Sequence, residues 1–184
     1  QMNVIAKIGD KIEFKINYSF DRLELPIDKG MIEKAIFNLL SNAFKYTSIN
    51  GVIMINFSKF READNEYVKI SVINTGHGIS NENLSKVFDR YYQVNNVQNK
   101  NIEGTGIGLA LVKSFVELHN GRVAVNSEPN LETCFDIYLP VIQTDFNNYS
   151  EVSPVIIKKS IKNIKISDEN QPPKQNYGLR ILIV

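Results

Sequence analysis

The chain has 184 residues, 43% hydrophobic and 22% charged, which suits an ordinary soluble globular protein with one good core and a tail. A formal net charge of +1 gives no electrostatic reason to expect nucleic acid or an anionic membrane as partner. The lone Cys134 excludes an internal disulfide and fits a reducing, cytoplasmic setting, and no apolar run approaches the ~20 residues that span a bilayer. Gln1 rather than Met opens the numbering, so the expectation is a piece of a longer chain.

In chain order, "DKIEFKINYS" sets Ile12, Phe14 and Ile16 against charged neighbours, the period of a half-buried strand. "LELPID" is a short extended piece ending at Asp28, a suitable N-cap. From Lys29 to about Tyr46 the residues Ile32, Ile36, Leu39, Leu40 and Ala43 recur at helical spacing, and Asn50-Gly51 marks the turn beyond. "VIMINFSKF" and "YVKISVIN", joined by polar "READNE", predict an antiparallel hairpin. "INTGHGIS" reads as a loop, and "SNENLSKVFDRYYQV" as a helix capped by Ser80 or Asn81. Polar "NNVQNKNIE" leads into glycines, after which Leu109, Val112, Phe115 and Val116 predict a helix closed by His119-Asn120-Gly121. "RVAVNSE" and "ETCFDIYLP" predict a second hairpin. After Pro140 the pattern dissolves into a Pro-, Asn- and Ser-containing linker, and the chain ends on β-prone "LRILIV". These elements predict an α+β two-layer sandwich, a mostly antiparallel mixed sheet with three main helices on one face.

The first helix carries more than a core needs. At 100° per residue Asn38, Asn42 and Tyr46 form one stripe beside the apolar one, with Lys45 adjoining. Each alone reads as a solvated edge. Together an amide oxygen, a cation and an aromatic ring suit a metal–nucleotide ligand, because Mg²⁺ takes only one or two protein oxygens and completes its shell with phosphates and water. Asn74 to Ile79, "NTGHGI", follows a strand directly, and Gly76 and Gly78 would let backbone pass close to a flat ligand, although a tight turn is the commoner meaning of such a string. Gly104, Gly106 and Gly108 in "EGTGIGLALV" open a helix, where free N–H groups favour anions. Position 109 is Leu, so the dinucleotide fingerprint fails, and no Gly-Lys-Ser/Thr makes a P-loop.

Taken in order, "NLLSNAFKYT", "INTGHGI", "VFDRYYQV" and "GTGIGLALV" closely resemble the four boxes of the ATP-binding catalytic domain of bacterial sensor histidine kinases, in the superfamily shared with gyrase and mismatch-repair ATPases. The resemblance covers roughly residues 10 to 140. It implies that Asn42 chelates the Mg²⁺ bridging the ATP phosphates, that Asn38 and Lys45 bond phosphate oxygens, and that Tyr46 borders the adenine. Asn74 stands where the family usually has an Asp that accepts from the adenine amino group; its amide oxygen still accepts, without formal charge. Gly76, Gly78 and Ile79 would flank the base, Phe88 would anchor a mobile lid, and Gly104, Thr105, Gly106, Gly108 and Leu109 would form its glycine hinge at the phosphates. Many relatives carry Arg where Gln93 stands, and Arg90, one helical turn earlier, is the candidate replacement beside the terminal phosphate.

Gyrase-like relatives use a Glu as general base where this chain has Asn38, which cannot take a proton. The resemblance therefore implies phosphoryl transfer by positioning and charge neutralisation rather than rapid hydrolysis. A gyrase-like hydrolase and a degenerate nucleotide-binding regulatory module are the alternatives. His77 reads as a loop residue and His119 as a helix-terminus residue, so the phosphoacceptor His is expected on a separate upstream dimerisation domain of a homodimeric, membrane-anchored parent whose cytoplasmic part this is. The expected division is a catalytic domain over 1–142, a linker over 143–178, and at 179–184 the first strand of a fused receiver domain, as in a hybrid kinase.

Overall fold

A computed structural model describes residues 2–8, 12–93, 105–141 and 155–158. The elements run β1 (Met2–Ile8), β2 (Ile12–Tyr18), β3 (Arg22–Leu25), α1 (Lys29–Tyr46), β4 (Gly51–Glu62), β5 (Asn65–Thr75), α2 (Asn81–Leu84), α3 (Gly108–Leu118), β6 (Arg122–Glu128), β7 (Glu132–Pro140) and β8 (Val155–Lys158). Six strands form one sheet in the order β1-β2-β4-β5-β7-β6. Every neighbouring pair is antiparallel except β2 and β4, which lie parallel because α1 carries the chain back across the sheet between them.

Alternation along the strands makes the core. Val68, Ile70 and Val72 of β5 stand opposite Leu139, Ile137 and Phe135 of β7, and Ile70 and Val72 also opposite Phe57 and Ile55 of β4, all buried. Onto that face α1 lays Ile32, Ala35, Ile36, Leu39, Leu40 and Ala43, and α3 adds Val112 and Val116. Each large aliphatic side chain removed from water contributes about 1.5–3 kcal/mol, so this stripe, rather than helix propensity, fixes α1. The other sheet face is polar: Lys69 pairs with Asp136 at 2.9 Å, and the Ser71 hydroxyl donates to Asp136 at 2.6 Å.

The sandwich, both hairpins and α1 follow the sequence expectation, including Asp28, whose carboxylate accepts from the Met31 N–H at 2.9 Å. The middle helix does not run from Ser80 to Val94. Only Asn81–Leu84 is helical, and Ser80 caps it without a side-chain bond. The chain beyond continues as separate i→i+3 turns, Lys86 to Asn83, Asp89 to Lys86 and Tyr92 to Asp89. Burying Val87 and packing Phe88 on the sheet follows the curved core surface, and Tyr91 at φ 65° closes off any helix. Two strands were not read from the sequence: β1, paired with β2, and β8, paired with β3 inside the 143–178 stretch expected to be linker. Residues 179–184 lie outside the described residues.

Candidate functional site

The polar stripe of α1 ends beside the end of β5. Thr47, one residue past the helix, bridges Gly76. A Cβ on Gly76 would collide with the Tyr46 carbonyl, so only glycine permits the strand end to lie this close to α1. Asn74, two residues earlier, is 6% exposed. Among the described residues its Nδ2 makes a long 3.4 Å bond to the Thr75 carbonyl and its Oδ1 is left as a buried acceptor. Lys45 Nζ lies 5.2 Å from the Tyr46 ring centroid, which places the cation over the exposed aromatic at the same end of α1. Asn42, half-buried, sits one turn before Tyr46.

Gly78 turns at φ 69°, and a Cβ there would stand 2.5 Å from the Glu128 carbonyl, so the loop is pressed onto the β6–β7 turn. The Ile79 N–H donates to Ser127 Oγ at 2.9 Å. That hydroxyl in turn donates to the Glu132 carbonyl and lies 2.8 Å from Thr133 Oγ1. Thr133 is 5% exposed and directly opposite Asn74 in the β5–β7 register. Neither hydroxyl was identified from the sequence. Their signal is the pairing of Thr133 with Asn74, which appears only once the two hairpins are joined.

The third part comes from the glycine segment. Gly106, at φ 67°, accepts the Tyr91 N–H at 2.8 Å and would clash with Tyr91 if it bore a Cβ. Gly108 opens α3 against Asn38, whose Oδ1 would lie 3.1 Å from a Cβ there, while Asn38 Nδ2 donates back to the Lys34 carbonyl at 2.9 Å. Phe88 packs edge-on against Phe135, ring centroids 6.1 Å apart, and Leu109 and Ile79 rest on the core. Arg90, Gln93 and Thr105 are exposed. Gly104 lies outside the described residues.

The structure thus brings Asn38 of α1 against Gly108 at the entry to α3, and the Tyr46–Thr47 end of α1 against Gly76 at the end of β5. Together these parts offer a buried amide acceptor, a backbone approach open only to glycine, a cation and a helix N-terminus. Such features suit an adenine nucleotide. The two histidines stay out of these contacts. His77 is exposed, and His119 caps the far end of α3.

Residues 27–143 match the family of histidine kinase-, DNA gyrase B- and HSP90-like ATPases. The chain belongs to this family. Sensor histidine kinase CusS of Escherichia coli is 37% identical over 149 residues, 76% of this chain and 30% of its own length. The non-motile and phage-resistance protein of Caulobacter vibrioides is 34% identical over 145 residues, 78% of this chain and 17% of its own. The chain thus spans less than a third of either relative. Among solved structures, the catalytic domain of histidine kinase ThkA superposes with a TM-score of 0.57 at 25% identity, covering 70% of this chain and 78% of that one. A mycobacterial sensor histidine kinase, MprB, shares the fold with a TM-score of 0.59, 24% identity and coverage of 70% and 83%. Among the described residues of this ATPase-family chain, no helix is long and apolar enough to cross a membrane.

Proposed function

We propose that this domain binds Mg-ATP and donates its γ-phosphoryl group to a histidine on a separate dimerisation domain of a parent sensor kinase. The observation that carries this reading is that α1 meets both the end of β5, at Gly76, and the entry to α3, at Gly108. Asn74 Oδ1 accepts from the adenine amino group, and Gly76 and Gly78 let the base lie against backbone. Tyr46 borders the base, and Asn38, Lys45 and the first N–H groups of α3 hold the phosphates, with Gly104, Thr105 and Arg90 completing the phosphate side. Asn42 supplies the protein oxygen for Mg²⁺, which when bound would neutralise phosphate charge. Asn38 cannot accept a proton from water, so the site holds ATP for transfer and lacks a hydrolytic base. The parent is a homodimer, anchored in a membrane and carrying a receiver domain behind residues 143–178.

Thermal melts with and without Mg-ATP test binding, because a ligand at a hundred times its Kd stabilises the folded state by about 2.7 kcal/mol. Asn42→Ala should remove most of the metal-dependent rise. Labelled ATP then separates the roles. Transfer to the parent's upstream helical domain as an acid-labile phosphoramidate supports the kinase. Binding without transfer indicates a regulatory nucleotide module, a reading that the neutral Asn74 favours, and brisk turnover without acceptor indicates a hydrolase. No midpoint rise at millimolar Mg-ATP overturns the proposal.

A further inference from the structure

α1 and α3 pack antiparallel and are fastened at two places. At one end Gly108, the first residue of α3, abuts Asn38 in the middle of α1. At the other, the Asp28 N–H, on the N-cap residue of α1, donates to His119 Nε2 at 2.8 Å. His119 is the C-cap of α3, and its Nδ1 lies 2.7 Å from the Phe115 carbonyl one turn back. A carbonyl can only accept, so Nδ1 carries the proton and Nε2 is the lone-pair acceptor that Asp28 needs. The ring's own position is set by the backbone, since Asn120 at φ 54° and the Gly121 N–H to the Val116 carbonyl close the helix end. α1 and α3 pack on one another, and the residues they bury are apolar: Ile32, Ala35, Ile36 and Leu39 on α1, Ala110, Val112 and Val116 on α3. Such packing resists separation but defines axial position less sharply than a directional bond.

From these contacts we infer that His119 is a positioning residue for the nucleotide site. It pins the register of α3 on α1 and thereby holds the Gly106–Gly108 entry at the right height over Asn38 and Asn42, although it lies eleven residues, about 16 Å of helix, from that entry. It touches no ligand. The inference rests on the Mg-ATP reading above and names what keeps that site assembled.

The two ring nitrogens can be replaced separately. Glutamine places an acceptor near the Nε2 position, whereas asparagine reaches only as far as Nδ1. In the full 184-residue chain, His119→Gln should therefore keep Mg-ATP affinity near that of the unaltered protein. His119→Asn and His119→Ala should weaken it roughly three- to tenfold by calorimetry. Asp28 amide exchange should speed up in the Asn and Ala variants and not in Gln, and the ¹⁵N signals of His119 in the unaltered chain should report a protonated Nδ1 and a bare Nε2. Equal affinity in all four proteins overturns the inference, as does a Gln variant as weak as Ala. So does a loss of affinity that follows the melting temperature while Asp28 exchange stays unchanged. If the unaltered chain binds no Mg-ATP, the nucleotide reading itself falls and this inference with it. Normal binding that ignores His119 removes this inference alone.

Discussion

Asn74 shows how burial sets the meaning of one side chain. At 6% exposure an amide with an unspent oxygen is costly unless a ligand uses it, whereas the same residue on the surface would mean nothing. Asn74→Leu should weaken ATP binding by removing that acceptor, by roughly 1–3 kcal/mol in calorimetry. Asn74→Asp should keep or tighten it, with a lower melting temperature for the empty protein because a carboxylate is harder to bury than an amide. Asn74, Gly76 and Gly78 were legible in the sequence because a strand running into a glycine-flanked amide is a local pattern. Ser127 and Thr133 were not. A serine and a threonine in an edge hairpin carry no local sign, and their role depends on the pairing of Thr133 with Asn74 across the sheet.

Among the elements, legibility followed burial of a single periodic face. α1, β4, β5 and β7 each bury an apolar stripe of regular period, and the sequence period matches the element found. The stretch after Ser80 has helical composition, but Val87 and Phe88 must reach the core in succession, and packing overrode propensity. β1 and β8 escaped notice because each depends on a partner strand, β2 and β3, rather than on a marked pattern of its own. Two changes at the start of α1 test the helix directly. Asp28→Ala removes the bond to Met31 and should cost about 1 kcal/mol in denaturant melts. Gly30→Ala should stabilise by about 0.5–1 kcal/mol, since its added methyl meets only Asp28 Oδ1, at 3.4 Å.

For the molecule as a whole, the polar sheet face governs the response to alkali. Burial, aided by the neighbouring Asp136, pushes the Cys134 thiol up to about 12. Burial alone would lower Lys69, but its bond to Asp136 and that carboxylate's charge outweigh this and raise it. Between the ordinary thiol value of about 8.5 and the folded value, the unfolded chain releases a proton that the folded chain keeps. Stability should therefore be level below that window and fall as pH rises through it. Cys134→Ala should flatten part of the slope measured by denaturant titration at stepped pH, leaving the parts due to Lys69 and to Tyr18, whose phenol burial also raises. At neutral pH the thiol should alkylate more slowly than free cysteine.

The β5–β7 ladder ends with Thr75 opposite Glu132, so Gly76, Gly78 and the entry to α3 are all strung on one excursion between two adjacent strands. The entropy of closing a flexible stretch of chain grows only with the logarithm of its length, about 0.6 kcal/mol for each doubling. Halving the chain between Gln93 and Thr105 should therefore change the stability of the sheet by no more than that. Removing residues 95–100 should leave the midpoint of urea unfolding within experimental error while changing how fast ATP enters and leaves. A large loss of stability would mean that this segment packs as part of the core.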